Sequence, residues 1–233
     1  MPVNNILAFG VTRIRITFAD DLGSTPRVAE GTGFYLDPGE EQPLTFVTNR
    51  HNIDPRMSSD MGPRWRTQMV ELELRETIEG RPRIFTPEVT WCTVENLATA
   101  VFADDAEQGP DCALIVDPQF RKRPPQFRSM SAANRANLVG AEEFEERFSL
   151  GDAVSFVGFP SIEGKPLWDT EWTFPISRPA WVASFPGIPY NNPKIGTADV
   201  LLVSGLSFSG SSGSGAAGRR RACGARRRRA GPR

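Results

Sequence analysis

One histidine, one aspartate and one serine stand out as residues that could act together on a carbonyl group. The serine is Ser212, held in Gly210-Ser211-Ser212-Gly213-Ser214, shortly after the apolar run Val200-Leu201-Leu202-Val203. An attacking hydroxyl must stand on a tight turn, with nearby backbone N–H groups converging where negative charge develops. Glycine allows the backbone angles that aim those groups, which a Cβ resists. The plainer interpretation is a flexible Gly/Ser linker, since the run continues into Gly215-Ala216-Ala217-Gly218. A motif this short needs support from elsewhere in the chain.

His51, the only histidine, supplies it. It follows the apolar, β-branched stretch Leu44-Thr45-Phe46-Val47-Thr48 through Asn49-Arg50 and precedes a polar loop, which places it at a strand edge. Asp111 heads a second apolar stretch, Cys112-Ala113-Leu114-Ile115-Val116. Asp104 and Asp105 compete with it, but they lie in a soft acidic loop and not at a strand start. A lone histidine is more often a packed or surface residue, and the position of His51 between strand and loop favours a cleft instead. An imidazole can take a proton from a hydroxyl and return it to a leaving amine, and a carboxylate can hold the ring in the tautomer this needs.

Histidine, aspartate and serine in that order are the chain order of one known triad. On these residues the chain resembles a trypsin-like (chymotrypsin-fold) serine peptidase of the bacterial kind. The matching pieces are Gly31-Thr32-Gly33-Phe34, Val47-Thr48-Asn49-Arg50-His51, Asp111-Cys112-Ala113-Leu114 and Gly210-Ser211-Ser212-Gly213-Ser214. Similar too is Leu150-Gly151-Asp152-Ala153-Val154-Ser155-Phe156-Val157-Gly158-Phe159-Pro160, a strand of the second barrel in such proteins. The resemblance implies an all-β fold of two six-stranded antiparallel β-barrels with the site between them. It implies catalytic roles for His51, Asp111 and Ser212, an oxyanion hole from the N–H groups of Gly210 and Ser212, and neither cofactor nor metal. Among Ser209, Ser211, Ser212 and Ser214, only Ser212 has glycine two before and one after, in the family's register. Ser211 stands where digestive trypsins carry the aspartate that pairs with a newly cut N-terminus, so activation by that salt bridge is not expected. Leu206, six before Ser212, falls in the substrate pocket where trypsin has its acid, and it points to an uncharged substrate side chain.

The elements that must position these residues are short strands. Residues 11–18 and 68–75 alternate apolar and polar, the mark of half-buried strands, and residues 31–36 form another before the turn Asp37-Pro38-Gly39. Residues 52–66 form a polar loop, 121–126 a basic, Pro-rich crossing, and 141–148 one or two helical turns with Phe144 and Phe148 on one face. Strands are expected again at 153–159, 171–174, 180–184 and 200–203. The expected division is an N-terminal barrel over residues 1–128, a C-terminal barrel over 129–214 lacking its last strands, and an Arg-rich disordered tail over 215–233. No internal repeat is present. Past Ser214 the family continues into further strands, whereas this chain becomes Arg-rich, as a reading-frame change in a high-GC gene would make it. An incomplete second barrel predicts weak activity, which leaves a catalytically impaired, peptide-binding module as the alternative function.

Composition narrows the partners. The 233 residues are 39% hydrophobic and carry a net charge of −1, but residues 219–233 hold eight of the 27 basic residues and none of the 28 acids. The remainder has 19 basic against 28 acidic residues, a balance of −9, so the body offers no general case for nucleic-acid binding. Only the Arg-rich tail could bind RNA or an anionic surface. Three cysteines are no disulfide framework and suit reduced thiols in a cytoplasm. Neither a signal peptide nor an apolar run of about 18 residues is visible, so a soluble peptidase acting on peptides or proteins is the expectation.

Overall fold

The computed structural model describes residues 10–39, 42–57, 61, 63–74, 77–78, 81–82, 90–103, 111–116, 132–134, 136, 138–170, 173–185, 188–192, 196–198, 202–209 and 215–218. Its strands are β1 (Val11–Asp20), β2 (Arg27–Asp37), β3 (Thr45–Thr48), β4 (Trp65–Leu74), β5 (Thr77–Ile78), β6 (Arg81–Pro82), β7 (Thr90–Thr93), β8 (Val101–Ala103), β9 (Ala113–Ile115) and β10 (Ala133–Asn134). They are followed by β11 (Ala153–Gly158), β12 (Ser161–Ile162), β13 (Lys165–Pro166), β14 (Ile176–Val182), β15 (Tyr190–Asn192), β16 (Gly196–Ala198), β17 (Val203–Gly205) and β18 (Gly215–Gly218). Among the described residues three short helices interrupt them: α1 (Arg50–Ile53), α2 (Leu97–Ala100) and α3 (Ala141–Arg147).

The strands assemble into two principal sheets. An eight-stranded sheet runs β7-β4-β1-β2-β3-β9-β8, with β10 joining β2, and a four-stranded sheet runs β17-β14-β11-β18. All pairings within these sheets are antiparallel except that of β10 with β2. The all-β, antiparallel class expected from the sequence is therefore the class observed.

Alternation along β1 explains the first core. Ile14, Ile16 and Phe18 point inward with Tyr35, Phe46, Leu72 and Ile115, all at most 1% exposed. Burying each such side chain contributes roughly 1.5–3 kcal/mol. The two arginines of β1 lie on the other side of this alternation. Arg13 gives its backbone N–H and its Nε to Glu73 Oε2, each at 3.0 Å, and its guanidinium lies 5.1 Å from the Trp91 ring and 4.7 Å from the Trp168 ring. Glu73 is 1% exposed, so the guanidinium is the partner that makes a buried carboxylate tolerable.

Trp168 stacks edge-on against Phe159, which with Val11 and Val157 forms a small core joining the two sheets. Gly33 lets β2 and β3 approach closely: a Cβ there would stand 2.6 Å from the Val47 carbonyl oxygen and collide with the Phe46 ring. The second sheet has its own core of Val154, Ala180 and Val182, flanked by Phe148, Phe156 and Val203. Helix α3 forms where Phe144 and Phe148 share a face, and their rings stack with centroids 4.5 Å apart.

Several local expectations shift. The polar loop after His51 begins as helix α1 and a 3₁₀ turn at Pro55–Met57. Of the strand expected at 200–203, Val203 opens β17, and Phe174, at the end of the strand expected over 171–174, forms an isolated bridge with Asp169; residues 171–172 and 200–201 lie outside the described residues. Ala133–Asn134, assigned from sequence to the second barrel, pairs with Leu36–Asp37 of the first sheet. Residues 215–218, expected to open a disordered tail, form β18 against Val154–Val157 of β11. Glycine and alanine leave no side-chain pattern to read there, so the pairing rests on backbone hydrogen bonds. Residues 219–233 lie outside the described residues.

Candidate active site

Antiparallel pairing brings His51 and Asp111 together. β3 and β9 are in register at Thr48↔Ala113, so the residues leaving β3 run alongside those entering β9. Continuing that register by two steps sets Arg50 opposite Asp111. Helix α1 begins at Arg50, where the chain leaves the sheet and turns His51 back toward the carboxylate.

The contact is close and has several parts. His51 Nδ1 lies 2.6 Å from Asp111 Oδ2, and the His51 backbone N–H donates to Asp111 Oδ1 at 2.9 Å. A carboxylate only accepts, so the Nδ1–Oδ2 bond calls for hydrogen on Nδ1, which leaves Nε2 of the neutral ring as the base. The side-chain amide of Asn49 donates to Asp111 Oδ2 and to the Asp111 carbonyl oxygen, both at 2.9 Å. Burial alone would raise the Asp111 carboxyl. The His51 backbone N–H, the His51 ring with its charge once protonated, and the Asn49 amide together outweigh burial and hold it below the ordinary carboxylate value. Both side chains remain more than a third exposed, 37% for His51 and 39% for Asp111, so the pair opens to a ligand.

Helix α1 is only four residues long and is held by side chains at both ends. Arg50, buried beside His51, reaches Asp54 through Nε at 3.2 Å and Nη2 at 3.1 Å. Asp54 also accepts from Arg56 Nη2 at 2.8 Å, and the Thr67 hydroxyl donates to the Ile53 carbonyl. At the other end Asn52 Nδ2 donates to Thr48 Oγ1 at 2.9 Å, and Thr48 Oγ1 donates to the Thr32 carbonyl at 2.7 Å. Thr32 Oγ1 in turn accepts from Phe159 N–H at 3.1 Å. A polar chain, buried from Thr48 onward, thus runs from the residue beside His51 to the residue that follows β11.

Gly210 and Ser212 lie outside the described residues, as do Ser211, Ser214, Asp104 and Asp105. The nearest described positions on either side of Ser212 both contact the segment from Val157 to Ser161. The Ser209 carbonyl accepts from Ser161 N–H at 2.7 Å, and Gly215 pairs with Val157. Leu206, assigned from sequence to the substrate pocket, is 73% exposed. Sequence reasoning gave no role to Asn49, Thr32 or Asn52. Asn49 lies inside the strand-to-histidine stretch already singled out, but nothing in its type says that its amide reaches Asp111.

Two further features lie close by. A cavity of about 630 Å³ opens beside α1, lined by Ile53, Asp54, Arg56, Trp65, Arg66 and Val101, and neither His51 nor Asp111 borders it. Cys112, next to the aspartate, is a free, exposed thiol whose pKa is pushed up by partial burial and by Asp111. Among the described residues no group of three or more His, Cys, Asp and Glu side chains could hold a metal ion. Among them, too, no helix is long and apolar enough to cross a membrane.

No protein-family model matches the chain, and no curated protein matches it. Among solved structures, the chain is similar to the crystal structure of Deg5, at 14% identity and a TM-score of 0.49, over 92% of this chain and 78% of that one. A likeness of that size leaves the chemistry to the residues themselves.

Proposed function

We propose that the chain is a serine endopeptidase of the trypsin-like kind, hydrolysing peptide bonds through an acyl-enzyme. The observation that carries this reading is the His51–Asp111 pair, 2.6 Å apart at a partly exposed sheet edge, with the ring's Nε2 left as the base. In the proposed reaction the Ser212 hydroxyl gives its proton to His51 Nε2 as its oxygen attacks the substrate carbonyl. Asp111 keeps the ring oriented and stabilises the imidazolium as it forms. The N–H groups of Gly210 and Ser212 take the oxyanion. His51 then protonates the leaving amine, the acyl-enzyme remains on Ser212, and a water activated by the same imidazole releases the acid.

Strand β18 supports the reading in a second way. Pairing of Gly215–Gly218 with β11 continues the sheet past position 214, where the sequence alone suggested that it ended. A fluorophosphonate probe tests the reading directly. Labelling of the full chain at Ser212, abolished in His51→Ala and in Ser212→Ala, is the expected result. A folded chain that takes no label at Ser212 would instead be a peptide-binding module without turnover.

A further inference from the structure

Arg178 occupies a position that the strand pattern reserves for an apolar residue. Along β14 the buried residues alternate as Arg178, Ala180 and Val182, and the last two belong to the core of the second sheet. Arg178 is 8% exposed. Its Nη1 donates to the Leu206 carbonyl at 2.8 Å, and the Phe208 ring lies 5.9 Å from its guanidinium. Its Nε is buried without a hydrogen-bond partner, and among the described residues no carboxylate pairs with it. Burial lowers its pKa.

A guanidinium carries five N–H donors and a full charge, and one backbone carbonyl satisfies little of either. Holding the Leu206 carbonyl needs only a neutral donor, so the charge calls for a separate explanation. The segment above it is open, with Ser204, Gly205, Leu206 and Ser207 all exposed. That segment reaches Arg178 because β17 packs closely on β14. Gly205 permits this, since a Cβ there would stand 2.8 Å from the Ala180 Cβ. Leu206 is also the residue assigned from sequence to the substrate pocket.

We propose that Arg178 is the specificity-determining residue of the substrate cleft, a buried cation that receives the carboxylate of a Glu or Asp side chain on a bound peptide. This deepens the peptidase reading and rests on it for the meaning of the cleft. The uncharged preference suggested by Leu206 is replaced by an acidic one, because the charge comes from a strand 28 residues earlier in the chain.

Binding of two fluorescent peptides that differ only in one Glu or Gln, measured by anisotropy on the full Ser212→Ala chain, tests the assignment without cleavage. The Glu peptide is expected to bind about tenfold more tightly than the Gln peptide, the order expected of a charge-assisted hydrogen bond. Arg178→Gln is expected to erase the difference and Arg178→Lys to keep part of it. Equal binding of the two peptides to the Ser212→Ala chain overturns the assignment whether or not either arginine variant folds. So does an undiminished preference in folded Arg178→Gln. Fluorophosphonate labelling of the parent chain separates the two ideas: labelling without a Glu preference sinks only the role of Arg178, and a Glu preference without labelling sinks only the peptidase reading.

Discussion

The amide of Asn49 grips Asp111 at two points, donating at 2.9 Å to its carboxylate and at 2.9 Å to its own backbone carbonyl. The carboxylate oxygen that faces the His51 ring, Oδ2, is therefore also held by a residue two positions before the histidine. Asn49→Ala removes one of the interactions that keep the Asp111 carboxyl below its ordinary value. Its midpoint, followed by the carboxyl ¹³C chemical shift, should move upward. An unmoved midpoint would mean that Asn49 only fills space.

Asp111→Asn keeps an oxygen for the His51 backbone N–H but loses the charge that favours hydrogen on Nδ1. If the proposed triad operates, turnover of a peptide ester should fall by about 10³–10⁴-fold with little change in KM, the size seen when the ring is left in the wrong tautomer. A loss below about tenfold would argue that Asp111 only anchors the loop.

Thr32 joins the two sheets, and it is fully buried. Thr32→Val removes the hydroxyl acceptor of the Phe159 N–H in a dry place, which costs about 1–3 kcal/mol. Urea unfolding should show that loss, with Thr32→Ser restoring most of it. A neutral Thr32→Val would mean that the Phe159 N–H finds water.

Acid should loosen helix α1. Asp54 is held at a pKa of about 2, first by the Arg56 side-chain hydrogen bonds, against the opposing effect of burial, and then by the Arg56 backbone N–H and Arg50. The folded pKa lies below the unfolded value of about 3.9, so its contribution is fully present above that value and is lost as pH falls toward 2. Stability measured from pH 5 to 2 should drop across this window. In Asp54→Asn the drop should be smaller, with lower stability at neutral pH. A parallel pH profile in the variant would assign the acid loss elsewhere.

Local pattern carried much of the fold. Alternation in residues 11–18 marks β1, Phe144 and Phe148 mark α3, and the apolar runs around positions 46 and 114 mark β3 and β9, because side-chain period follows directly from backbone geometry. His51 and Asp111 were legible as candidates because each sits where such a run meets a polar loop. The strand at Gly215–Gly218 was not, since residues without large side chains leave no pattern, and backbone pairing to β11 alone defines it.

The sequence by itself determined which residue types were available: one histidine, an aspartate at a strand mouth, a serine among glycines. It could not determine which of them meet. That 60 residues of chain close into a 2.6 Å contact was decided by the pairing of β3 with β9. The contacts of Asn49 and Arg178 were decided there too, because a hydrogen bond or a buried cation exists only once distant strands share a face.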